Sequence, residues 1–272
     1  VGARFEDSNA RGIDGDQTNY AAPESGAAYV FTRTGGAWSQ EAYVKASNTG
    51  TRDSFGVCVA LSADGNTLAV GASGEDGAAT TINGNQADAT APDSGAVYLF
   101  ERSGATWSQE AYVKASNSSE DVSFGSSLAL SADGNTLVAG ATGEASAATG
   151  ISGDQGEQSA HAAGAVYVFK RAAAVWSQQT YIKASNAATY SVFGSRLALS
   201  ADGNILAVGA EAESGGAIGL EGDQGDQSAK WSGAVYVFEQ TGDAWSQRSY
   251  VKPPSTSAYH RFGASIALSA EG

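Results

Sequence analysis

Several residue types are scarce. There is one cysteine, Cys58, among 272 residues, so no internal disulfide framework can form. There is no methionine, and there are only four prolines and two histidines. Basic residues number 15 against 29 acidic ones, a net charge of −14. A chain this poor in cations lacks the patches that neutralise phosphates, which argues against nucleic acid and against anionic membrane surfaces as partners. Cationic partners and metal ions stay open. No apolar run approaches the ~18 residues of a membrane span, so membrane insertion is not expected. No secretory signal is visible either. Only 16% of residues are charged, while 35 are glycine. That composition suits a turn-rich, all-β chain.

Repetition is abundant. Phe55-Gly56, Phe124-Gly125, Phe193-Gly194 and Phe262-Gly263 stand 69 residues apart, as do Trp38, Trp107, Trp176 and Trp245. One unit is therefore used four times, which argues for a single continuous array over residues 1–272. The units run over about 1–54 (partial), 55–123, 124–192, 193–261 and 262–272 (partial). Cys58 is matched by Ser127, Arg196 and Ser265; a position that accepts Arg lies near solvent, so the thiol reads as tolerated rather than nucleophilic.

Each unit spells four strands. In the second copy they are Val57 to Ser62, Thr67 to Ala72, Gly95 to Arg102 and Thr106 to Ala115. Asp64-Gly65 and Ser103-Gly104 mark tight hairpins, because Gly supplies the positive φ they need. The third strand is apolar on both faces: Ala96, Tyr98 and Phe100 on one, Val97 and Leu99 on the other. The fourth mixes polar and apolar residues as an edge strand does. Four-stranded antiparallel sheets, apolar on both faces and repeated, predict the blades of a β-propeller. The ring is either closed with four blades or part of a larger one. The chain begins and stops inside a hairpin, and domain boundaries rarely fall there, so an excerpt of a longer array is the favoured expectation.

The stretch Phe124 to Ala141, FGSSLALSADGNTLVAGA, followed by SGAVYVF, resembles the FG-GAP repeat of integrin α-subunit propellers. It is closer still to the FG-GAP-like repeats of bacterial secreted and cell-surface proteins. The resemblance covers essentially the whole chain and implies a propeller at an extracellular or cell-surface location. It also implies that the loops between second and third strands share one face with the loops entering each Phe-Gly, and that this face meets partners. One feature departs from integrins. Their calcium loop between the first two strands is here only Ala63-Asp64-Gly65-Asn66, and one carboxylate cannot supply the six to eight oxygens calcium takes. Calcium sites are therefore not expected at Asp64, Asp133 or Asp202.

The long loop after the second strand carries the recurring polar residues. Glu6, Glu75, Glu144 and Glu213 repeat at 69, as do Gly-Asp/Asn-Gln triplets holding Asp16, Asn85, Asp154 and Asp223. Asn19, Asp88, Glu157 and Asp226 follow shortly after. These residues are binding candidates together with Trp231, which has no repeated counterpart. Asp16, Asp88, Asp154, Glu157, Asp223 and Asp226 are the candidates for a hard cation, so calcium is the one cofactor the loops suggest. The competing reading is that Asp, Asn and Gln cap local backbone N–H groups and hold the loop in shape. The recurring tryptophans read as packing residues. Lys45, Lys114, Lys183 and Lys252 read as edge guards against sheet-to-sheet association. Tyr20 and Tyr259 are lone loop aromatics.

No nucleophile, base and orienter are visibly gathered, so the chain is not expected to be an enzyme. The leading expectation is an extracellular, non-enzymatic binding or adhesion module with a protein or glycan partner on the long-loop face. The alternative is a self-assembling structural subunit of a surface layer, filament or larger assembly. A propeller-based hydrolase or lyase stands third.

Overall fold

The structure is a computed structural model describing residues 1–272. It is all-β, with no helix long and apolar enough to cross a membrane. Fifteen strands form in chain order: β1 Gly2–Ala3, β2 Ala27–Thr34, β3 Ala37–Val44, β4 Phe55–Leu61, β5 Thr67–Ala72, β6 Ala96–Ser103, β7 Thr106–Val113, β8 Phe124–Leu130, β9 Thr136–Ala141, β10 Ala165–Ala172, β11 Val175–Ile182, β12 Arg196–Leu199, β13 Ile205–Ala210, β14 Ala234–Thr241 and β15 Ala244–Val251. They pair antiparallel, each with its neighbour in sequence, into one three-stranded sheet, β1–β3, and three four-stranded sheets, β4–β7, β8–β11 and β12–β15. The strand reading from sequence holds to within two residues at most ends. Residues 262–272 form turns instead of an opening strand, because a lone strand without a partner leaves its backbone groups unpaired.

The chain divides into two compact units, Val1–Leu128 and Ala129–Gly272, with the division falling inside β8. In the first unit one face of β1–β3, bearing Ala28, Ala42 and Val44, packs on Leu68, Val70, Tyr98, Phe100, Trp107 and Tyr112 of the next sheet. In the second unit Val166, Val168 and Ile182 pack in the same way on Leu206, Val208, Tyr236, Phe238, Trp245 and Tyr250. Small residues on one face and aromatics on the other let neighbouring sheets interdigitate without voids.

The Phe-Gly pair is a packing device. Gly56 has φ +86°, and a Cβ there would sit 2.3 Å from the carbonyl oxygen of Ala27. Only glycine permits both the left-handed backbone and that approach. The ring of Phe55 beside it is fully buried, edge-on to Tyr98 with centroids 5.3 Å apart.

A bulge recurs between third and fourth strands. Val30 faces Ala42 while Phe31 faces Gln40, so Glu41 is the extra residue. The bulge turns Glu41 toward the next sheet, where its carboxylate accepts from Arg102 Nη2 at 2.6 Å and Trp107 Nε1 at 3.0 Å. Bulges commonly re-aim a side chain in this way.

Candidate functional site

Each long loop is rooted by one buried ion pair. Glu75, three residues past β5 on the far side of Ser73-Gly74, is 2% exposed, and Lys114, just past β7, is 1% exposed. Their Oε2 and Nζ atoms lie 2.8 Å apart. Oε1 of Glu75 accepts from Tyr112 Oη and from Asn48 Nδ2, each at 2.8 Å, and Oε2 also accepts from the Gly77 amide. Lys114 donates in addition to Ser94 Oγ. The same pair is Glu6–Lys45 at 2.7 Å, Glu144–Lys183 at 2.6 Å and Glu213–Lys252 at 2.8 Å. Burial lowers the pKa of all three lysines for which the first cause is removal from water, Lys45, Lys114 and Lys183, and the paired glutamate works against that shift. The lysine row is thus not an edge guard. This corrects the expectation, and the reason is that a buried carboxylate at the loop base demands a buried cation. The four recurring glutamates are anchors at the loop base rather than surface groups.

The Asp and Asn candidates further along the loop cap its turns. Asp16 Oδ1 accepts from the Thr18 amide at 2.8 Å and its hydroxyl at 2.7 Å. Asn85, Asp154 and Asp223 accept from the amides of Ala87, Gly156 and Gly225. Asp88 and Asp226 take the amides of Thr90 and Ser228, and Glu157 takes those of Ser159 and Ala147. These bonds favour the ionised form, and the pKa values of Asp16, Glu157 and Asp226 are lowered accordingly. No three His, Cys, Asp or Glu side chains gather as a metal would require. The hairpin acids behave alike: Asp64, Asp133 and Asp202 each bind a Ser hydroxyl and an Asn two residues on.

The loop is also stapled to the sheet before it. Asn48 Nδ2 donates to the backbone oxygen of Gln86 at 3.2 Å, and Ser47 Oγ donates to the side chain of Gln86. Asn186 and Ser185 treat Gln224 identically. The triplets that do this, Ala46 to Asn48 and Ala184 to Asn186, belong to an Ala-Ser-Asn pattern that repeats at 69, with Ala115 to Asn117 as its middle copy. That periodicity was a legible signal for the loop's support.

Between the staple and the loop of the first unit lies a cavity of about 460 Å³, walled by Asn48, Asp53, Glu75, Asp76, Asp88 and Arg11 among others. Two candidates from the sequence, Glu75 and Asp88, line it. Asp53 and Asp76 were not anticipated. Asp53 is 4% exposed. One of its oxygens accepts from the Gly50 amide at 2.6 Å. Its counterparts in other repeats are Val122, Ser191 and His260, so no periodicity reveals it. Burial, reinforced by the charges of Glu75 and Asp76, pushes its pKa up to about 7. The cavity can hold a ligand that carries positive charge and donates hydrogen bonds.

Trp231, in the second unit, is half-buried with its ring 5.6 Å from that of Tyr259. Of the repeated tryptophans, Trp107, Trp176 and Trp245 are buried as packing residues, while Trp38 is 69% exposed.

The FG-GAP repeat family matches residues 38–100 and 176–238. The chain carries FG-GAP repeats. Both matched segments run from near the start of a fourth strand, through the Phe-Gly pair and the long loop, into the middle of the following third strand. No curated protein matches the FG-GAP chain. Among the solved structures it is similar to is that of a "putative 6-phosphogluconolactonase" from Bacteroides uniformis ATCC 8492. The identity is 9% and the TM-score 0.47, with 85% of this chain and 49% of that one covered. The FG-GAP chain therefore spans about half the length of that protein. The expectation that the chain is not an enzyme finds no support in the comparisons, where the protein so described is named for an enzymatic activity. At this identity the similarity assigns no reaction to the FG-GAP chain.

Proposed function

We propose that this FG-GAP chain is an extracellular binding module, a β-propeller of four-stranded blades whose partner docks on the surface of the long loops. The observation that carries the reading is the acidic cavity of the first unit. Its floor is rigid, because the Glu75–Lys114 pair and the Asn48 staple fix the backbone around it. Its wall holds a buried carboxylate, Asp53, that pairs with no cation within bonding distance. Preorganised polar groups around a recess of this size are what small-molecule and side-chain recognition sites share. The net charge of −14 favours a cationic partner group. The test is binding of the biotinylated chain to protein and glycan arrays, repeated with Asp53→Asn/Asp88→Asn. Hits that weaken in the double variant support the reading; hits indifferent to it, or none at all, remove it.

A second reading is favoured by a separate observation. Trp38, Phe31 and Val1 are 69%, 43% and 75% exposed, although the equivalent Trp107 and Phe100 are covered by the neighbouring sheet. An apolar sheet face of this kind suits assembly with a further blade or copy. Sedimentation of the parent chain and of Trp38→Ser tests it: a concentration-dependent increase in mass that the substitution abolishes supports assembly, and a monomer at all concentrations removes it.

A further inference from the structure

The second unit carries a loop cluster that the repeat framework does not require. Lys230 and Trp231 end its last long loop, and Tyr259 to Arg261 follow β15. The Tyr259 amide donates to the Lys230 carbonyl at 2.8 Å and the Arg261 amide to the Trp231 carbonyl at 3.1 Å, so the two segments are held side by side. The rings of Trp231 and Tyr259 meet edge to face, at 86°. Lys230 Nζ lies 4.9 Å and Arg261 Cζ 5.6 Å from the centre of the Trp231 ring. Tyr259 is 59% exposed, and Lys230 and Arg261 are exposed as well. Lys230 makes no ion pair, and the one carboxylate near Arg261, that of Glu211, stands off at 3.9 Å.

The other repeats show that the fold tolerates quite different residues here. Trp231 corresponds to Glu24, Asp93 and Ala162, Lys230 to Pro23, Pro92 and His161, and Arg261 to Ser54, Ser123 and Val192. The backbone is the same each time: φ is +57° at Glu24, +52° at Asp93, +49° at Ala162 and +53° at Trp231. A bulky aromatic is an uncommon choice for that left-handed position. The cluster also runs against the charge of the whole chain, gathering two exposed cations, Lys230 without an ion pair and Arg261 with only the distant one to Glu211, in a protein of net −14.

We propose that this cluster binds an acidic saccharide, with the apolar face of a sugar ring against Tyr259 and Trp231 and its carboxylate held by Lys230 and Arg261. The exposed ring of Tyr259 and the half-buried ring of Trp231 offer broad, rigid apolar contact with a polar edge, which suits a molecule with one apolar face. A guanidinium and an ammonium beside them supply charge-assisted hydrogen bonds to a carboxylate. A long polyanion fits less well, because two cations cannot offset the repulsion of the remaining acidic surface. The inference concerns a different unit and the opposite charge from the cavity, so it stands or falls apart from the reading above.

The experiment is calorimetric titration of the full chain with trigalacturonic acid, with neutral galactotriose alongside. The variants are Trp231→Ala and Lys230→Gln/Arg261→Gln. Ala162 already occupies the position equivalent to Trp231 with the same backbone, so Trp231→Ala is expected to fold, and a melting curve checks that. Binding of the acid but not of the neutral sugar, weakened about tenfold or more by each variant, is the expected result. Equal binding of both sugars overturns the carboxylate assignment. Loss in the charge variant with full binding by Trp231→Ala leaves only electrostatic attraction and overturns the saccharide assignment. No heat at millimolar acid with the parent chain overturns the site.

Discussion

Lys114 and Glu75 form an ion pair 2.8 Å long in which both side chains are essentially removed from water. Such a pair is a poor source of net stability, because desolvating two charges offsets most of their attraction. Its value is geometric. It fixes the start of a loop more than twenty residues long against its own sheet, with Tyr112, Asn48 and the Gly77 amide filling the remaining valences of the carboxylate.

Removing one partner strands the other. Lys114→Met leaves the Glu75 carboxylate buried without its cation, and a loss of about 3–5 kcal/mol is expected. Lys114→Met/Glu75→Leu should recover part of that loss. Urea denaturation of the parent, the single and the double variant checks it; a single variant as stable as the parent would mean that water reaches the pair.

Asp53 should make stability fall as pH rises. Its folded pKa of about 7 lies above the ordinary carboxyl value of 3.8. Between those values the folded chain keeps a proton that the unfolded chain has released, so stability declines with increasing pH across that window. Burial drives the shift, the charges of Glu75 and Asp76 reinforce it, and the Gly50 amide and Lys45 oppose it. Asp53→Asn removes the slope, and from pH 5 to pH 8 the variant should gain roughly 2–3 kcal/mol relative to the parent. Urea midpoints at the two pH values measure this, and parallel behaviour of both proteins contradicts it.

Calcium should not stabilise the chain. The candidate loop carboxylates are committed to their own turns, and no three His, Cys, Asp or Glu side chains are placed to share one metal ion. Millimolar calcium and a chelator are expected to give melting temperatures within about 1 °C of each other, since a ligand selective for the native state must raise stability. A larger rise with calcium would reinstate the cation reading of Asp16, Asp88, Asp154, Glu157, Asp223 and Asp226.

The same substitution should have unequal effects at equivalent repeat positions. Trp107 is 3% exposed, packs in the core between two sheets and donates to Glu41; Trp38 is 69% exposed. Trp107→Ala is expected to cost about 3–5 kcal/mol, and Trp38→Ala under about 1 kcal/mol. Thermal or urea unfolding of the two variants decides whether the face of the first sheet is uncovered in solution.

Much of the fold was legible in the chain because its signals are local. Asp64-Gly65 sets a hairpin through two adjacent residues, the alternation of Ala96, Val97, Tyr98, Leu99 and Phe100 sets a doubly covered strand, and the 69-residue spacing repeats both. The identity of the loop acids as binding groups was not legible, because Asp16, Asp88 and Asp226 look alike whether they meet a cation or a backbone amide two residues on. Lys114 was misread because an edge-strand lysine and a buried one have the same sequence context; only the position of Glu75, 39 residues earlier, separates them.

The sequence by itself determined strand order, hairpin sites and the register of the repeat, since those depend on residue pattern and on the conformational freedom of glycine. The tertiary structure alone decided which charges are buried. Burial depends on what the neighbouring sheet and loop cover, and that made Glu75 an anchor and placed Asp53, a residue with no counterpart of its kind in the other repeats, in the wall of a cavity.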